Sequence, residues 1–500
     1  MGCTVDWFEK RSRLTPEHIA IVDSDTGHRW SYQEIEQRAL RLASFLRKQG
    51  VNKGDRVALL SPNHLSYFDL LFACLKLGAI FVPLNWRLAA PELLYILRDC
   101  RPKLIAVHPD LASYSQVGTW KQAIGCEQLI VGGAEYEDIL RAEQTTLVAA
   151  EVHSDDPYVV IYTGGTTGKP KGVVLSHDSI FWNSVNTVIS WHLTSKEITP
   201  TYLPMFHTGG LNALSLPVLQ AGGTVILAKE FAAEKAIDLL TRERCTIVLM
   251  VPTMYHMLVH SPSFADAVFP TMHTFLSGGA PCPLSIYQSF AEKGLAFKEG
   301  YGLTEAGPNN FYINPQVAMQ KRGSVGLPMM YNEIKVVNEC GEEANPHEIG
   351  ELWLKGTHLF HSYWNQPELT ASTFTNGWFR TGDLAKRDDE GYTYIMGRKK
   401  EMIITGGENV YPLEVEHLLS QHAAVKEVTV MGIPDEKWGE AVAAAVVLHT
   451  GCTVSDDELI LHCKSSIAAY KAPKRIIFVA ELPITSVGKI DKNQLIHMLR

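Results

Sequence analysis

The sequence predicts an α/β protein with a large N-terminal body and a small, mobile C-terminal α+β domain. Three observations support this: short apolar runs alternate with amphipathic stretches in the first half, the pattern turns to alternating strands near residue 333, and the polar run GRKKE follows at Gly397–Glu401. Near-continuous β-branched runs between helical stretches indicate a parallel sheet covered on both faces. The predicted body spans residues 1–397 and the predicted small domain spans residues 398–500.

The first strand candidates and helices alternate along the body. Arg56–Leu60 (RVALL) reads as a strand, a helix follows from His64 to Leu77, and further strands are expected in these segments: Ala79–Leu84, Lys103–Val107, Gln128–Val131, Tyr158–Tyr162, TVILA from Thr224 and TIVLMVP from Thr246. Later, EIKVVN, GELWLKG and YTYIMG are separated by turn signals and predict a small barrel-like, antiparallel part. LEVEHLLSQH and VAAAVVLH then supply a helix and a strand for the C-terminal domain.

Composition excludes several classes of protein. The 500 residues are 46% hydrophobic and 20% charged, which argues against disorder. Lys plus Arg number 45 and Asp plus Glu 54, so the formal charge is −9 and a nucleic-acid partner is not expected. The nine cysteines form no C-x-x-C pair, so neither a zinc site nor a disulfide framework is expected. We expect no signal peptide and no transmembrane segment, and a cytoplasmic location.

The strongest local feature is YVVIYTGGTTGKPKGVVLSH, in which a buried strand leads into a loop of glycines and threonines. Glycines let backbone N–H groups converge on one point, and hydroxyls and lysines add donors for an anion. The loop predicts a polyphosphate site. It is not a Walker A loop, because its glycines are spaced one residue too closely and Pro170 replaces the Ser or Thr.

This loop and six further segments resemble the adenylate-forming superfamily, which includes acyl- and aryl-CoA synthetases, luciferases and nonribosomal adenylation domains. The match runs in order along nearly the whole chain. The other segments are LPMFHTGGL, SGGAPCP, YGLTEAGP, GWFRTGD, GRKKEMIITGGENVYP and, near the C-terminus, LPITSVGKIDK. The resemblance implies a two-step reaction: a carboxylate attacks the α-phosphate of ATP, and the thiol of coenzyme A then displaces AMP to give a thioester.

The resemblance assigns roles to the residues of the nucleotide site. Lys489 is the expected catalytic lysine, because its ammonium can bridge the attacking carboxylate and the α-phosphate. Glu305, with Thr304 beside it, is expected to act in catalysis, and Glu305 and Thr163 are expected to hold Mg²⁺ with the substrate phosphates. Asp383 is expected to bind the ribose hydroxyls and Arg398 to reinforce the nucleotide. The remaining expected ATP contacts are Gly164, Gly165, Thr166, Thr167, Lys171, Gly279, Ala280, Pro281, Tyr301 and Gly302.

The acyl and coenzyme A sites are assigned in the same way. The resemblance places an acyl pocket at His207, Thr208, Gly209, Asn212, Ser277 and Gly278. A lone His beside apolar residues is more often a packed residue than a catalyst, so His207 is interpreted as pocket-lining. Lys400 is the expected hinge about which the small domain rotates, and Gly406 and Gly407 are expected to line the coenzyme A channel.

Two departures from the family pattern bear on the prediction. Gly164 stands where many relatives have serine, so one phosphate-contacting hydroxyl is missing, while its N–H remains. The GGENVYP segment is shared by medium-chain, aryl and mixed acyl-CoA synthetases, whereas GGEW is typical of many long-chain enzymes. This weakens a strict long-chain assignment.

Several hypotheses stay open at this point. A medium- or long-chain fatty acid is the first substrate hypothesis, and a cinnamate, benzoate or o-succinylbenzoate is the second. An adenylation enzyme that loads a separate carrier protein is the main alternative, although no carrier segment follows Lys489. A luciferase-like oxygenase has no supporting feature, and a non-catalytic nucleotide sensor conflicts with the presence of Lys489, Glu305 and Asp383. A homodimer is compatible with the sequence but not indicated by it.

Overall fold

The computed structural model of the chain describes residues 5–112, 124–145, 150–164, 170–484 and 490–499. Within these ranges, α-helices cover the following segments: Trp7–Leu14, Tyr32–Lys48, Ser66–Leu77, Ala90–Cys100, Pro109–Ala112, Ala134–Ala142, His177–Ser190, Thr208–Asn212, Ser215–Ala221, Ala233–Arg242, Pro252–Val259, Leu284–Glu292, Pro315–Ala318, Pro367–Thr373, Pro412–Leu419, Asp456–Lys464 and Lys492–Leu499. Short 3₁₀ turns cover Pro262–Phe264, Thr304–Ala306 and Lys399–Glu401. Proline opens five of these α-helices and the 3₁₀ turn Pro262–Phe264, where its missing N–H would have no partner within the helix.

The first sheet of the body contains the strand that leads into the glycine-rich loop. Its strands, in spatial order, are Ser362–Tyr363, Lys171–Ser176, Pro157–Thr163, Ile80–Leu84, Arg56–Leu60, Leu104–Val107 and Glu127–Ile130. The four strands from Ile80–Leu84 onward are parallel to one another, and Pro157–Thr163 continues them in parallel. Lys171–Ser176 then returns antiparallel to Pro157–Thr163. The glycine-rich segment therefore connects two adjacent antiparallel strands.

Two further sheets of the body are largely parallel. One has the order Arg29–Ser31, Ile19–Asp23, Thr224–Leu227, Ile198–Thr201, and the other has the order Ile247–Met250, Thr274–Ser277, Phe297–Glu299. The segments predicted to form the active site directly follow the carboxyl ends of strands in these sheets, at Thr201, Ser277 and Glu299. This is the edge at which α/β folds generally bind ligands.

An antiparallel sheet and the C-terminal domain complete the fold. The antiparallel sheet has the order Phe311–Tyr312, Ser324–Pro328, Thr393–Arg398, Trp378–Arg387, Gly350–Lys355, Glu333–Val337, with Phe374–Thr375 paired to Trp378–Arg387. The C-terminal sheet has the order Glu408–Val410, Ile403–Thr405, Gly439–Leu448, Val425–Asp435, with Arg475–Phe478 parallel to Gly439–Leu448. Parallel sheets, the antiparallel sheet and a C-terminal α+β domain confirm the predicted fold class.

The most apolar predicted helix lies in the centre of the body. Every residue of Ser66–Leu77 is buried, including two charged ones. The Asp69 carboxylate is fully buried and accepts from Arg38 Nη2 at 2.8 Å and from the Tyr136 hydroxyl at 2.9 Å. Lys76 Nζ donates to Glu36 at 2.6 Å and to Asp6 at 3.0 Å. Buried charges require such partners, so these ion pairs allow the helix to be enclosed despite its charges.

In the described part of the chain, no helix is long and apolar enough to cross a membrane.

Candidate active site

The glycine-rich loop begins at a threonine whose hydroxyl has no hydrogen-bond partner among the described residues. Thr163 ends the strand Pro157–Thr163 and lies opposite Lys171 in the antiparallel pair. Its Oγ1 is buried and accepts or donates no hydrogen bond among the described residues. Gly164 is exposed, and a Cβ at that position would meet no atom within 4 Å. The predicted phosphate contacts Gly165, Thr166 and Thr167 lie outside the described residues, so they stay predictions.

Lys171, Glu305 and Tyr363 form a compact polar cluster beside Thr163. Lys171 Nζ lies 3.1 Å from Glu305 Oε1 and donates to the Tyr363 hydroxyl oxygen at 2.8 Å. The same hydroxyl donates to Glu305 Oε1 at 2.9 Å. Burial, followed by the Glu305 carboxylate, raises the pKa of Tyr363 well above its ordinary value, so the phenol keeps its proton and remains a donor.

Secondary structure explains how these three residues meet. Lys171 begins the strand Lys171–Ser176, and Tyr363 lies in the two-residue edge strand Ser362–Tyr363 that pairs antiparallel with it. Glu305 lies in the 3₁₀ turn Thr304–Ala306, whose backbone is tied to the same region by a bond from Phe360 N to Glu305 O at 2.8 Å. Thr304, the other predicted residue of this turn, is half-buried.

The oxygen atoms of Glu305 and Thr163 are suitable ligands for a magnesium ion with bound phosphates. Lys171 and Tyr363 both contact Oε1 of Glu305, so their bonds do not use Oε2. The unpaired Thr163 Oγ1 lies on the strand partner of Lys171. Magnesium prefers oxygen ligands and is commonly held by one or two protein oxygens together with substrate phosphates. The described residues contain no cluster of three or more His, Cys, Asp or Glu for a metal ion, so a cage made wholly of protein groups is not formed there.

Asp383, Tyr301 and Arg398 form a second polar cluster on the antiparallel sheet. Asp383 lies directly opposite Arg398 in adjacent strands, and Arg398 Nε is 3.1 Å from Asp383 Oδ1. The Tyr301 hydroxyl donates to Asp383 Oδ2 at 2.5 Å. Burial and then the Asp383 charge raise the pKa of Tyr301 well above its usual range, so this bond persists at neutral pH. Each carboxylate oxygen can accept more than one hydrogen bond, so capacity for ribose hydroxyls remains.

The segment SGGAPCP, which contains the expected ATP contacts Gly279, Ala280 and Pro281, follows the buried end of a strand. Ser277 ends Thr274–Ser277 and is fully buried, whereas Ala280 and Pro281 are exposed. Gly279 has φ +85°, a left-handed conformation that favours glycine. A Cβ on Gly278 would lie 3.3 Å from Leu249 Cδ1, so the backbone at residue 278 passes close to the side chain of Leu249. Gly302 is enclosed more tightly, since a Cβ there would lie 2.1 Å from Pro308 O.

The predicted acyl segment forms a short helix that is fixed by polar contacts. His207 precedes the helix Thr208–Asn212, is half-buried, and has its ring centroid 4.5 Å from that of Phe206. Asn212 Nδ2 donates to Thr208 Oγ1 at 3.0 Å. Gly209 adds no side chain, and a Cβ at that position would lie 3.4 Å from Leu203 Cδ1. The two polar side chains of this helix are thus bonded to each other, and its glycine leaves the approach to Leu203 close.

The predicted hinge and channel residues lie at the start of the C-terminal domain. Lys400 is exposed within the 3₁₀ turn Lys399–Glu401. Gly406 and Gly407 form the turn between Ile403–Thr405 and Glu408–Val410, with φ values of +60° and +85°. A Cβ on Gly406 would lie 2.7 Å from a ring carbon of Trp438, so the turn packs closely on that ring. Lys489 lies outside the described residues, and its role stays a prediction.

Sequence reasoning missed Tyr363. This residue contacts both Lys171 and Glu305, but it is 192 positions from Lys171 along the chain. Its local sequence, HSYWNQP, carries no pattern that indicates an active site. Only the pairing of the edge strand Ser362–Tyr363 with Lys171–Ser176 brings it into the cluster, and a single sequence gives no signal for such a pairing.

Comparisons with known proteins identify the family of the chain. Residues 8–364 match the family model described as AMP-binding enzyme, and residues 414–489 match the AMP-binding enzyme C-terminal domain. Feruloyl-CoA synthase of Amycolatopsis sp is 38% identical, covering 98% of this chain and 97% of the relative. Indoleacetate–CoA ligase of Aromatoleum aromaticum and long-chain-fatty-acid–CoA ligase FadD13 of Mycobacterium tuberculosis are each 36% identical, with the same coverage.

Solved structures show the same fold. ATP-bound MatB from Rhodopseudomonas palustris aligns with a TM-score of 0.90 at 32% identity, covering 100% of this chain and 99% of that one. O-succinylbenzoate coenzyme A synthetase (MenE) from Bacillus subtilis, in complex with ATP and a magnesium ion, aligns with a TM-score of 0.87 at 31% identity. That alignment covers 98% of this chain and 99% of MenE. The chain therefore belongs to the AMP-binding enzyme family, in the adenylate-forming superfamily, and is an AMP-forming acid–thiol ligase.

Proposed function

We propose that this ligase converts an apolar monocarboxylic acid to its coenzyme A thioester through an acyl-adenylate, with a ring-bearing acid as the first candidate. The sequence alone favoured a fatty acid. Three relatives, the synthases for feruloyl-, indoleacetyl- and succinylbenzoyl-CoA, are named for acids that contain an aromatic ring, whereas FadD13 is named for fatty acids. The glycines at 209 and 278 add no side chain to the proposed pocket, which suits a flat ring.

The cluster of Lys171, Glu305 and Thr163 is the observation on which this function depends. The Lys171 ammonium lies 3.1 Å from the Glu305 carboxylate, and Lys171 is opposite Thr163 in the strand pair at the start of the glycine-rich loop. The Thr163 hydroxyl is buried and has no hydrogen-bond partner among the described residues. Such a group supplies both a cation and hard oxygen ligands, which is the requirement for binding a magnesium–polyphosphate. Magnesium, when bound with ATP, would neutralise charge on the phosphates.

The chain's own residues would act mainly by positioning and electrostatics. Lys171, fixed by Tyr363, would hold a phosphate, while Asp383 and Arg398 would orient the ribose. Lys489 would bridge the acid's carboxylate and the α-phosphate, reducing their repulsion as the carboxylate oxygen bonds to phosphorus and pyrophosphate leaves. The thiol sulfur of coenzyme A would then attack the acyl carbon, and AMP would depart as the C–O bond to it breaks.

We further propose that residues 398–500 rotate about Lys400 between the two half-reactions. In one orientation Lys489 would face the adenylation site, and in the other Gly406 and Gly407 would line the thiol channel. The close contact of Gly406 with Trp438 supports a rigid turn that moves with its domain. Such a movement lets one site serve two incompatible steps.

The direct test is release of AMP and pyrophosphate with ATP, Mg²⁺ and a panel of acids, each with and without coenzyme A. The panel should contain ferulate, other cinnamates, benzoate, indoleacetate, o-succinylbenzoate, fatty acids of graded length, acetate and amino acids. Sustained turnover that needs coenzyme A and is highest for one ring-bearing acid would support the proposal. Highest turnover with a fatty acid would refute the ring preference alone.

Two further outcomes separate the remaining hypotheses. A single burst of pyrophosphate without turnover on adding coenzyme A would indicate a carrier protein as the acceptor. Glu305→Gln should abolish turnover on the active acid, whereas Glu343→Gln, which removes an exposed partner of Arg387 (2.8 Å), should leave turnover unchanged. Full activity of Glu305→Gln would contradict the proposed site.

A further inference from the structure

We propose that two adjacent buried asparagines, Asn309 and Asn310, position different halves of the active site: Asn310 holds the nucleotide segment Tyr301–Gly307 and Asn309 holds the acyl segment. This inference rests on the proposed function of those segments. Asn310 is completely buried and Asn309 is 4% exposed. Both follow the segment YGLTEAGP, and neither lies among the residues expected to touch a substrate.

Asn310 binds both ends of the segment that carries Tyr301 and Glu305. Its backbone N–H donates to Tyr301 O at 3.1 Å. Its side-chain Nδ2 donates to Ala306 O at 3.1 Å and to Gly307 O at 3.0 Å. A single residue therefore ties Tyr301, a predicted ATP contact, to the turn that carries Glu305, the predicted magnesium ligand.

The other atoms of Asn310 are fixed from the opposite side. His358 Nε2 lies 3.1 Å from Asn310 Oδ1, and Asn332 Nδ2 donates to Asn310 O at 2.9 Å. Because Nδ2 is committed to two carbonyl oxygens, Oδ1 must be the acceptor, so His358 carries its proton on Nε2. Burial lowers the pKa of His358 to about 4, which keeps this ring neutral at pH 7. The amide is thus held in one orientation by several partners.

Asn309 makes the corresponding contacts to the acyl side. Its Nδ2 donates to Ala213 O at 2.7 Å, directly after the helix Thr208–Asn212, and to Thr187 Oγ1 at 3.1 Å. Thr187 in turn donates to Asn183 O at 2.7 Å, and Asn183 Nδ2 donates to Asn212 O at 3.0 Å. This chain of bonds reaches the acyl segment, and none of its donors bonds to Tyr301–Gly307. Asn183 does pack against Gly307, where an added Cβ would lie 2.4 Å from Asn183 Oδ1.

The chemistry of these bonds gives a matched pair of variants. Asn310→Asp keeps the size of the side chain and its acceptor for His358, but its carboxylate cannot donate to Ala306 O and Gly307 O. Asn309→Asp makes the same chemical change one residue away, at a site that is also buried. Both place an acceptor against carbonyl oxygens, so both should lose stability to a similar extent. Their effects on substrates should differ.

The experiment measures KM for ATP, Mg²⁺ and the acid in both variants, together with calorimetric binding of ATP with Mg²⁺ in the absence of acid. We expect Asn310→Asp to raise KM for ATP and to weaken ATP binding by about tenfold or more, since loss of buried hydrogen bonds has effects of this size. Its KM for the acid should change by less than about twofold, within ordinary variation among buried contacts. We expect Asn309→Asp to show the converse pattern.

Equal changes in both KM values for both variants, or wild-type ATP binding by Asn310→Asp, would overturn the proposal. Asn310→Ser, which retains one donor, gives a second measurement if Asn310→Asp does not fold. If neither Asn310 variant folds while Asn309→Asp does, Asn310 serves the fold rather than nucleotide binding, and the proposal is wrong. ATP binding by the wild type without turnover on any acid would instead count against the proposed function, so the two failures are distinguishable.

Discussion

The hydroxyl of Tyr363 links the ammonium of Lys171, which we propose to bind a phosphate, to the carboxylate of Glu305. It accepts from Lys171 at 2.8 Å and donates to Glu305 at 2.9 Å, and the Lys171 ammonium also lies 4.0 Å from the Tyr363 ring centroid. Two separate interactions, one through the hydroxyl and one through the ring, therefore fix the lysine. A substitution that removes only the hydroxyl can separate them.

Tyr363→Phe should weaken but not abolish activity. The ring contact with Lys171 remains, whereas Glu305 loses a donor, so we expect the Mg²⁺ concentration for half-maximal activity to rise about fivefold, the effect of one such hydrogen bond. Titration of Mg²⁺ at saturating ATP and acid measures this. Tyr363→Leu, which also removes the ring, should raise the required Mg²⁺ concentration further. An unchanged Mg²⁺ requirement in Tyr363→Phe would show that the hydroxyl has no part in the site.

At the scale of single elements, the turn after the strand Phe297–Glu299 depends on a close backbone approach. A Cβ on Gly302 would lie 2.1 Å from Pro308 O, and Leu303 N donates to Gly307 O at 3.1 Å across the same turn. The chain therefore folds back on itself within a few residues, and this brings Glu305 toward Lys171. Any side chain at residue 302 must push the two limbs of the turn apart.

Gly302→Ala should destabilise the protein and impair ATP binding together. We expect a loss of about 3 kcal/mol or more in the free energy of unfolding, since steric overlap with backbone atoms exceeds ordinary overpacking. Urea unfolding and calorimetric ATP binding measure the two effects. Gly133→Ala is the control, because a Cβ there meets no atom within 4 Å and should leave both quantities unchanged. Wild-type ATP affinity in Gly302→Ala would disprove the dependence on this turn.

Elements with a strong local pattern could be predicted from the sequence, whereas their pairing could not. The strand Arg56–Leu60 was predicted with its observed bounds, and the helix expected from His64 to Leu77 begins two residues later. Both elements are predicted by apolar runs of residues that are adjacent in the sequence. The pairing of Ser362–Tyr363 with Lys171–Ser176 is a contact between distant segments, and so is the bond from Asn310 to His358. A motif that resembles a family therefore identified Glu305 and Asp383, while Tyr363, Asn309 and Asn310 became visible only in the structure.

At the scale of the whole molecule, buried histidines should make folding stability sensitive to acid. His177 and His358 are 3% and 2% exposed, and burial lowers the pKa of each to about 4. The unfolded chain binds a proton near the ordinary pKa of 6.5, whereas the folded chain does not bind it until about pH 4. Their contribution is therefore fully present above pH 6.5 and is lost progressively as the pH falls toward 4.

His177→Phe should reduce this sensitivity. The His177 ring stacks on Tyr158 with centroids 4.4 Å apart, and neither ring nitrogen has a hydrogen-bond partner among the described residues, so phenylalanine can keep the stacking. When the pH falls from 7 to 5, each of the two histidines should lower the free energy of unfolding by about 2 kcal/mol, because the unfolded chain binds the proton and the folded chain does not. Urea unfolding at both pH values should show a smaller loss in His177→Phe than in the wild type. An identical loss in both proteins would exclude this role for His177.

The last prediction concerns the proposed rotation of residues 398–500 about Lys400. Lys400 lies in an exposed 3₁₀ turn, after the body's strand Thr393–Arg398 and before the first strand of the C-terminal sheet, Ile403–Thr405. Proline fixes φ near −65° and restricts the residue before it, so Lys400→Pro should oppose a rotation about this position while leaving both folded units intact.

We expect Lys400→Pro to form acyl-adenylate at a rate within about threefold of the wild type and to form thioester at least about tenfold more slowly, because only the second step would need the domain to rotate. Single-turnover release of pyrophosphate measures the first step, and transfer of preformed acyl-adenylate to coenzyme A measures the second. Lys400→Ala removes the side chain without restricting the backbone and should retain both rates. If Lys400→Pro loses the two half-reactions equally, the position is needed for the fold or for ATP binding, and rotation about Lys400 does not separate the steps.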